Sequence, residues 1–438
     1  MTRRRRDMVM TALLLLVLCL PTIAQTSSHS LPRLTLDEAI RTALREHPDV
    51  RQARAALEAA RARTAQARAD YFPHIDVSGF GKQGLSGASG ALGLSGLVTS
   101  PLFRDLGASA ALFQNIYDFG RTAHQVKASR WAAISLEHAL EAQRAWVTLN
   151  VERAYYRALQ AQRLVEVGRK VLQERRLTAR QAAAFHRAEL TSKVDVTLAE
   201  ANVAQAELDL MRAEEQLATA FAELNHAMGI IGQPTYQLEE PEIVIEPLPD
   251  LATLLDEAER RRPDLLALKA QIRVDEQIVA RARSERRPRF VGLWSGGWVR
   301  FSTYSIGRLM LGALGVYVPM FTGGQVKNRI KEAQARLEQT RAAYEKLAQD
   351  VRLQVQRAYR ALMTARKSIS VNERLVERAR EARRLAQLRY RAQLSSFVEL
   401  LSAEAEAARA EAAYAESRYA YKIAQALLRY AAGRAPRR

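Results

Sequence analysis

The sequence predicts a mainly α-helical chain that carries two pairs of long β-strands and is built from one unit used twice. Three observations predict this. First, residues 117–229 recur at a constant offset of 204 as residues 321–433. Val147, Leu149, Val151, Arg153, Ala154 and Tyr155 fall on Val351, Leu353, Val355, Arg357, Ala358 and Tyr359. Ser192, Asp195, Ala199, Glu200 and Gly229 fall on Ser396, Glu399, Ala403, Glu404 and Gly433. An ungapped match of this length marks internal duplication. Second, neither copy contains proline, and Ala, Leu, Arg, Glu and Gln dominate both, which is the composition of long helices. Third, residues 74–116 and 289–320 are instead rich in Gly, Ser and aromatics, with strand-like alternation such as Ile75/Val77.

The N-terminus reads as an export signal. Arg3 to Arg6 form a basic region, Ala12 to Leu20 an apolar core, and Thr22-Ile23-Ala24 supplies the small residues of a cleavage site. The apolar run is too short to span a bilayer as a helix. Cys19, the only cysteine in the 438 residues, follows Leu18 rather than a small residue, which argues against lipidation. Cleavage after Ala24 leaves a chain without cysteine and lowers the formal charge from +19 to +16. That removes thiol chemistry and disulfides from consideration. The remaining charge is spread along helices as Arg alternating with Ala and Glu, which reads as a solvated face; no nucleic-acid motif accompanies it.

The first repeat spans residues 34–229 and opens with a short helix. Thr35 and Glu38 have the capping-box spacing, and Leu36, Ile40 and Ala43 share one face. His47-Pro48-Asp49 breaks that helix and starts a second, from about Pro48 to Asp70, before Tyr71-Phe72-Pro73. The same unit returns at an offset of 215: Leu36, Ile40, Ala43, Pro48, Asp49 and Pro73 fall on Leu251, Leu255, Ala258, Pro263, Asp264 and Pro288. Residues 230–250, with Pro234, Pro241, Pro247 and Pro249 among acidic residues, form a linker to the second repeat at 251–433.

In each copy one helix of about 68 residues (119–186 in the first) spans ~100 Å. It turns back at 187–192 into a helix from Lys193 to Met228, which can stack end to end with the shorter helix before the strands. In the second copy, Ile330, Ala333, Leu337, Thr340, Tyr344, Leu347 and Val351 make a coiled-coil seam. An extra four-residue step to Val355 locally unwinds it before Ala358, Leu362, Ala365 and Ile369 resume. Each strand segment holds two strands of about ten residues, long enough to cross a bilayer when tilted. Trp294, Trp298, Phe301 and nearby tyrosines are expected at the strand ends as interfacial girdles. Four strands cannot close a barrel, so a membrane-embedded chain must oligomerise.

No constellation for chemistry is present. His47, His74, His124, His138, His186 and His226 are scattered without a zinc-binding spacing. The Gly-rich stretch from Gly79 to Gly96 lacks the Lys-Ser/Thr of a phosphate loop. No catalytic, cofactor or metal site is assigned.

The joint order of these motifs resembles the TolC-like outer-membrane efflux proteins, over essentially all of residues 34–433. The residues that carry it are Leu34-Thr35-Leu36-Asp37-Glu38-Ala39, and His47-Pro48-Asp49 echoed by Arg262-Pro263-Asp264. To these are added Tyr71-Phe72-Pro73, and Tyr117-Asp118-Phe119-Gly120 echoed by Phe321-Thr322-Gly323-Gly324. The resemblance implies a mainly α fold with a transmembrane β-barrel: a homotrimer pooling four strands per chain into twelve, continued by a long α-helical barrel through the periplasm. It implies a passive export duct of a tripartite efflux or type I secretion system in the outer-membrane lipid. Its partners would be a periplasmic adaptor (membrane fusion) protein and an inner-membrane pump of RND or ABC type. The adaptor would meet the hairpin tips, at Arg187, Glu189, Leu190 and Ser192 and at Arg391, Gln393, Leu394 and Ser396. Glu189 and Gln393 stand where the family usually carries Gly. A periplasmic gate is implied at Asp195, Tyr390 and Glu399, with Tyr390 and Asp195 bonding between the hairpins. Ser402 stands where a second acid is usual, and Ser395 replaces a basic partner. Rings of carboxylates in such a trimer select cations. The other reading of the same residues is a soluble periplasmic coiled-coil scaffold or polyanion-binding protein, which has no reason to insert two apolar strand pairs at corresponding points.

Overall fold

The computed structural model describes residues 33–85, 102–232, 234–242, 244–245, 247–300 and 307–434. The signal segment 1–24, residues 86–96 of the Gly-rich stretch and Phe301 lie outside the described residues. The first half runs β1 (Arg33–Leu34), α1 (Leu36–Glu46), α2 (Pro48–Ala69), β2 (His74–Leu85), β3 (Leu102–Tyr117), α3 (Arg121–Arg187) and α4 (Lys193–Met228). The second runs β4 (Gln237–Leu238), α5 (Leu251–Arg261), α6 (Pro263–Ser284), β5 (Arg289–Arg300), β6 (Gly307–Tyr317), α7 (Gln325–Arg391) and α8 (Phe397–Ala431).

Local chemistry explains the helix boundaries. Thr35 Oγ1 accepts the Glu38 N–H at 3.2 Å while Glu38 Oε2 accepts the Thr35 N–H at 3.1 Å, closing the capping box that starts α1. His47 Nδ1 accepts the Asp49 N–H at 3.2 Å, and Pro48 opens α2 without needing a donor. Asp70 is the C-cap of α2 rather than its last helical residue. α3 and α7 are each 67 residues long, or ~100 Å. They begin after Gly120 and Gly324, held at φ 89° and 83°.

Glycine also sets how the helices stack. Gly229, at φ 73° beyond the end of α4, lies so near the start of α2 that a Cβ would sit 2.8 Å from His47 Cα. At Gly433, beyond α8, a Cβ would sit 2.9 Å from Arg262 N, at the start of α6. Only glycine satisfies both the left-handed backbone and the close approach. So α4 and α2 form one broken column and α8 and α6 another. These columns flank the unbroken α3 and α7, giving a helical layer four elements wide.

The core is the seam. Val147 and Val151 of α3, and Val351 and Val355 of α7, are fully buried. They lie where α1 docks on α3 through Ala39, Ile40 and Ala43, and where α5 docks on α7 through Leu254 and Ala258. The locally unwound step therefore presents two consecutive apolar residues to a third helix. The linker is not wholly irregular: Gln237–Leu238 pairs in parallel with Arg33–Leu34. The Tyr155 hydroxyl, 2.8 Å from both Leu34 O and Glu239 O, shares its hydrogen between them and pins this pairing to α3. Burial pushes its pKa up, keeping it a donor.

Beyond the helix starts the four long strands form one antiparallel sheet in the order β2-β3-β5-β6, with β2 and β6 as open edges among the described residues. The register sorts the side chains onto two faces. Ile75, Val77, Leu106, Leu112, Phe290, Trp294, Trp298, Met310, Leu314 and Val316 share one face. The other carries Asp76, Ser78, Ser109 and Ser295 among smaller and apolar residues, with Ser78 and Ser109 hydrogen-bonded at 2.9 Å. Tyr117 and Tyr317 end their strands beside the helices, but Trp294 corrects the expectation of tryptophans at strand ends. It lies in the middle of β5, where Gly296 beside it and Gly312 opposite leave room for the indole.

Candidate functional site

The helical layer ends, away from the sheet, in the two hairpin turns. Each turn is a Schellman motif: the Leu190 N–H donates to Phe185 O and the Glu189 N–H to His186 O, both at 2.9 Å. In the second turn Leu394 N–H donates to Arg389 O at 2.8 Å and Gln393 N–H to Tyr390 O at 3.0 Å. The motif requires a left-handed residue, and Glu189 and Gln393 supply it at φ 61° and 60° without being glycine. Ser192 and Ser396 then cap the returning helices, accepting the N–H groups of Val194 and Glu399. At the exposed end of each turn stand Arg187 with Leu190 and Arg391 with Leu394, the leucines 57 % and 70 % exposed.

Strain at these two turns is testable. A left-handed conformation costs a non-glycine residue ~1–2 kcal/mol. Glu189→Gly and Gln393→Gly are each expected to stabilise the folded chain by about 1 kcal/mol, less glycine's extra unfolded-state entropy. A raised denaturant midpoint in detergent checks this, and an unchanged or lowered midpoint counts against strain.

Just behind the turns the two hairpins are joined by an apolar block of Ala182, Ala199, Ala386, Tyr390, Phe397 and Leu400. Tyr390 is 3 % exposed, its ring 5.8 Å from Phe185 and 5.4 Å from Phe397. Its hydroxyl has no hydrogen-bond partner among the described residues of this single chain, so the chain by itself does not make the bond to Asp195 that the resemblance implies. Packing between two phenyl rings fixes the phenol. Burial, and then the Asp195 charge nearby, push its pKa up and keep it protonated. Thr191 Oγ1 and Ser395 Oγ, at matching places in the two turns, are likewise buried without a partner among the described residues. Glu399 is exposed and pairs with Arg389 at 3.1 Å, a partner that sequence reasoning missed. In the first hairpin Phe185 stands at the position equivalent to Arg389, so no arginine occupies that place for Asp195. The duplication therefore ends in two electrically different tips.

A second missed group lies further from the tips. Arg175 of α3 forms a buried ion pair with Glu404 of α8, and the Thr178 hydroxyl donates to the other Glu404 oxygen at 2.9 Å. Arg175 is 7 % and Glu404 5 % exposed. Arg383 with Glu174, at 2.6 Å, and Glu411 between Lys170 and Arg380 extend this link between the hairpins. Burial pushes Glu411 up, but the Arg380 hydrogen bond and the charges of Lys170, Arg380 and Arg383 outweigh it and hold the carboxyl below its usual range. Its contribution is thus present above the ordinary carboxylate pKa and is lost only as pH falls through the lowered value. Nothing in the sequence distinguishes Glu404 from its repeat partner Glu200, which is exposed.

At the opposite end, Tyr71, Phe72, Tyr117, Tyr317 and Phe321 form an exposed aromatic zone where sheet meets helices. The Arg289 guanidinium lies 4.6 Å over the Tyr317 ring. Among the described residues, no helix is long and apolar enough to cross a membrane, and no group of three His, Cys, Asp or Glu side chains could hold a metal ion.

The family model described as outer membrane efflux protein matches residues 39–230 and 254–434. Protein CyaE of Bordetella pertussis is 28% identical over 384 residues, which cover 85% of this chain and 78% of that protein. The toluene efflux pump outer membrane protein TtgC of Pseudomonas putida is 24% identical over 378 residues, covering 84% of this chain and 76% of TtgC. Among solved structures, the Campylobacter jejuni CmeC outer membrane channel superposes with a TM-score of 0.79 at 16% identity, covering 91% of this chain and 85% of CmeC. The open state of the Neisseria gonorrhoeae MtrE outer membrane channel gives 0.77 at 20% identity, with 91% and 89% covered. At these identities the structural matches speak to the fold.

Proposed function

The chain belongs to the outer membrane efflux protein family, and from that premise we propose that it is a passive export duct running from the periplasm through the outer membrane. One observation carries the reading beyond family membership: a four-stranded sheet with two open edges stands at one end of a ~100 Å helical layer. Open edges are not viable in lipid, and four strands are too few to close. Three copies joined β6 to β2 give twelve strands, with the apolar face toward lipid and the face bearing Asp76 and the serines toward the lumen. The helical layers then continue the same wall as a tunnel. A soluble coiled-coil scaffold is disfavoured by the exposed Val77, Met310 and Leu314, which would meet water with nothing to offset them.

In this reading a periplasmic adaptor docks on the tips, where Leu190 and Leu394 offer apolar contacts beside Arg187 and Arg391. An inner-membrane pump of RND or ABC type delivers the cargo and the energy. Asp195 and Glu399, three of each around the axis, form the selective constriction with Tyr390 bracing the helices behind it. Single-channel recording of the mature chain in a planar bilayer tests both parts. Discrete, low, cation-selective conductance is expected, with selectivity weakened by Glu399→Ala. The exposed Arg389 pair is worth little to stability, so the variant should fold normally. Channels indifferent to the variant overturn the gate and leave the duct. A chain that stays in water and never conducts overturns the duct.

A further inference from the structure

We propose that Arg300 and Arg308 form a binding site for the phosphate groups of lipid headgroups on the outside of the barrel, at its extracellular rim. The inference rests on the barrel reading above. The register places Arg300 on the same face as Trp298, Trp294 and Phe290, two residues beyond Trp298, and places Arg308 directly opposite Trp298 on the neighbouring strand. This is the apolar face. Both arginines are exposed.

Height follows from strand geometry. Phe290, beside the helices, marks the lower edge of the apolar band. Arg300 is ten residues further along β5, or ~33 Å of strand. At a tilt of ~35–45° that rises ~25 Å, the usual height of a barrel's lipid-facing band. Trp298 and Arg308 share one level just below, where aromatic girdles sit. Within the described part of this face, no acidic side chain accompanies them. Two guanidinium groups at headgroup level, on adjacent strands and on diagonal positions ~7–8 Å apart at Cα, can grip one phosphate with paired N–H donors. A lipid-facing arginine costs a barrel little at this height, where it can meet an anion. The strand ends near the helices lie at the periplasmic side, so this pair meets the outer leaflet.

Trp298 supplies the probe. In the full mature chain with Trp131, Trp146 and Trp294 changed to Phe, its fluorescence is read in vesicles of brominated phosphatidylcholine, or of unbrominated phosphatidylcholine containing brominated phosphatidic acid. The phosphomonoester lipid is expected to be favoured at Trp298 by about tenfold. Arg300→Gln with Arg308→Gln should bring the preference to about one, while quenching by phosphatidylcholine stays unchanged and so shows an intact barrel. Equal quenching by both lipids in the parent chain, or a preference that survives the double variant, overturns the proposal. A preference abolished by excess inorganic phosphate assigns the site to the free ion and overturns the lipid assignment. No quenching by either lipid is a different failure, that of the barrel reading itself.

Discussion

Glu404→Ala is expected to cost about 3–5 kcal/mol, the largest single loss in the helical layer, because it leaves the Arg175 guanidinium buried without a counter-charge. The Thr178 hydroxyl loses its acceptor in the same step. The loss should appear as a lowered denaturant midpoint of the protein in detergent. Replacing the pair together, as Arg175→Met with Glu404→Leu, removes both the charge and the need for it, and should recover most of the loss. Adding Arg175→Met to Glu404→Ala removes the charge but leaves the space at position 404 empty, so recovery in that variant assigns the loss to the unpaired charge rather than to a cavity. The pair joins α3 to α8, so Glu404→Ala should also loosen the two hairpins and raise the resting conductance. The exposed repeat partner offers the control: Glu200→Ala is expected within about 0.5 kcal/mol of the parent.

Met310→Arg and Leu311→Arg, at neighbouring positions near the middle of β6, are expected to behave oppositely. Met310 lies opposite Gly296 on the apolar face, whereas Leu311 lies opposite Ser295 on the face that carries Asp76. An arginine facing lipid near the midplane costs a barrel ~2–4 kcal/mol, and the proposed trimer would incur it three times. Met310→Arg should therefore reach the membrane poorly and yield little trimer. Leu311→Arg should assemble, placing three cations in the lumen and shifting selectivity toward anions. Heat-resistant trimer on gels and reversal potentials in a bilayer read the two outcomes. Equal assembly of both variants would overturn the assignment of faces.

The two halves of the chain show what a sequence alone can determine here and where it stops. Helix starts and stops were legible because they depend on neighbours in the chain. Thr35 and Glu38, His47-Pro48, Ser192, Ser396, Gly229 and Gly433 act within a few residues, through capping and turn geometry. The seam of α7 was legible because its period is local, and the strand pairs because Gly, Ser and alternating apolar residues break that period. Even the four-residue step at Val351 and Val355 could be read; that it receives α5 could not.

Tertiary structure decided everything that depends on residues far apart in the chain. Glu200 and Glu404 occupy equivalent positions with identical side chains, yet one is solvated and the other neutralises a buried arginine, because α8 packs against α3 of the other hairpin whereas α4 packs mainly against α3 of its own. The partners of Tyr390 and Glu399 were equally out of reach. Phe185 and Phe397 pack on the Tyr390 ring, whose hydroxyl finds no partner among the described residues, and Arg389 reaches Glu399 across the turn. Which strand face is apolar also waited for the register, since a shift of one residue would have exchanged the two sets of side chains. Local chemistry determined where each helix and strand begins and ends. Packing between distant segments decided which of the repeated residues became different, whereas the unequal charge of the two tips was already present in the sequence, as Phe185 against Arg389.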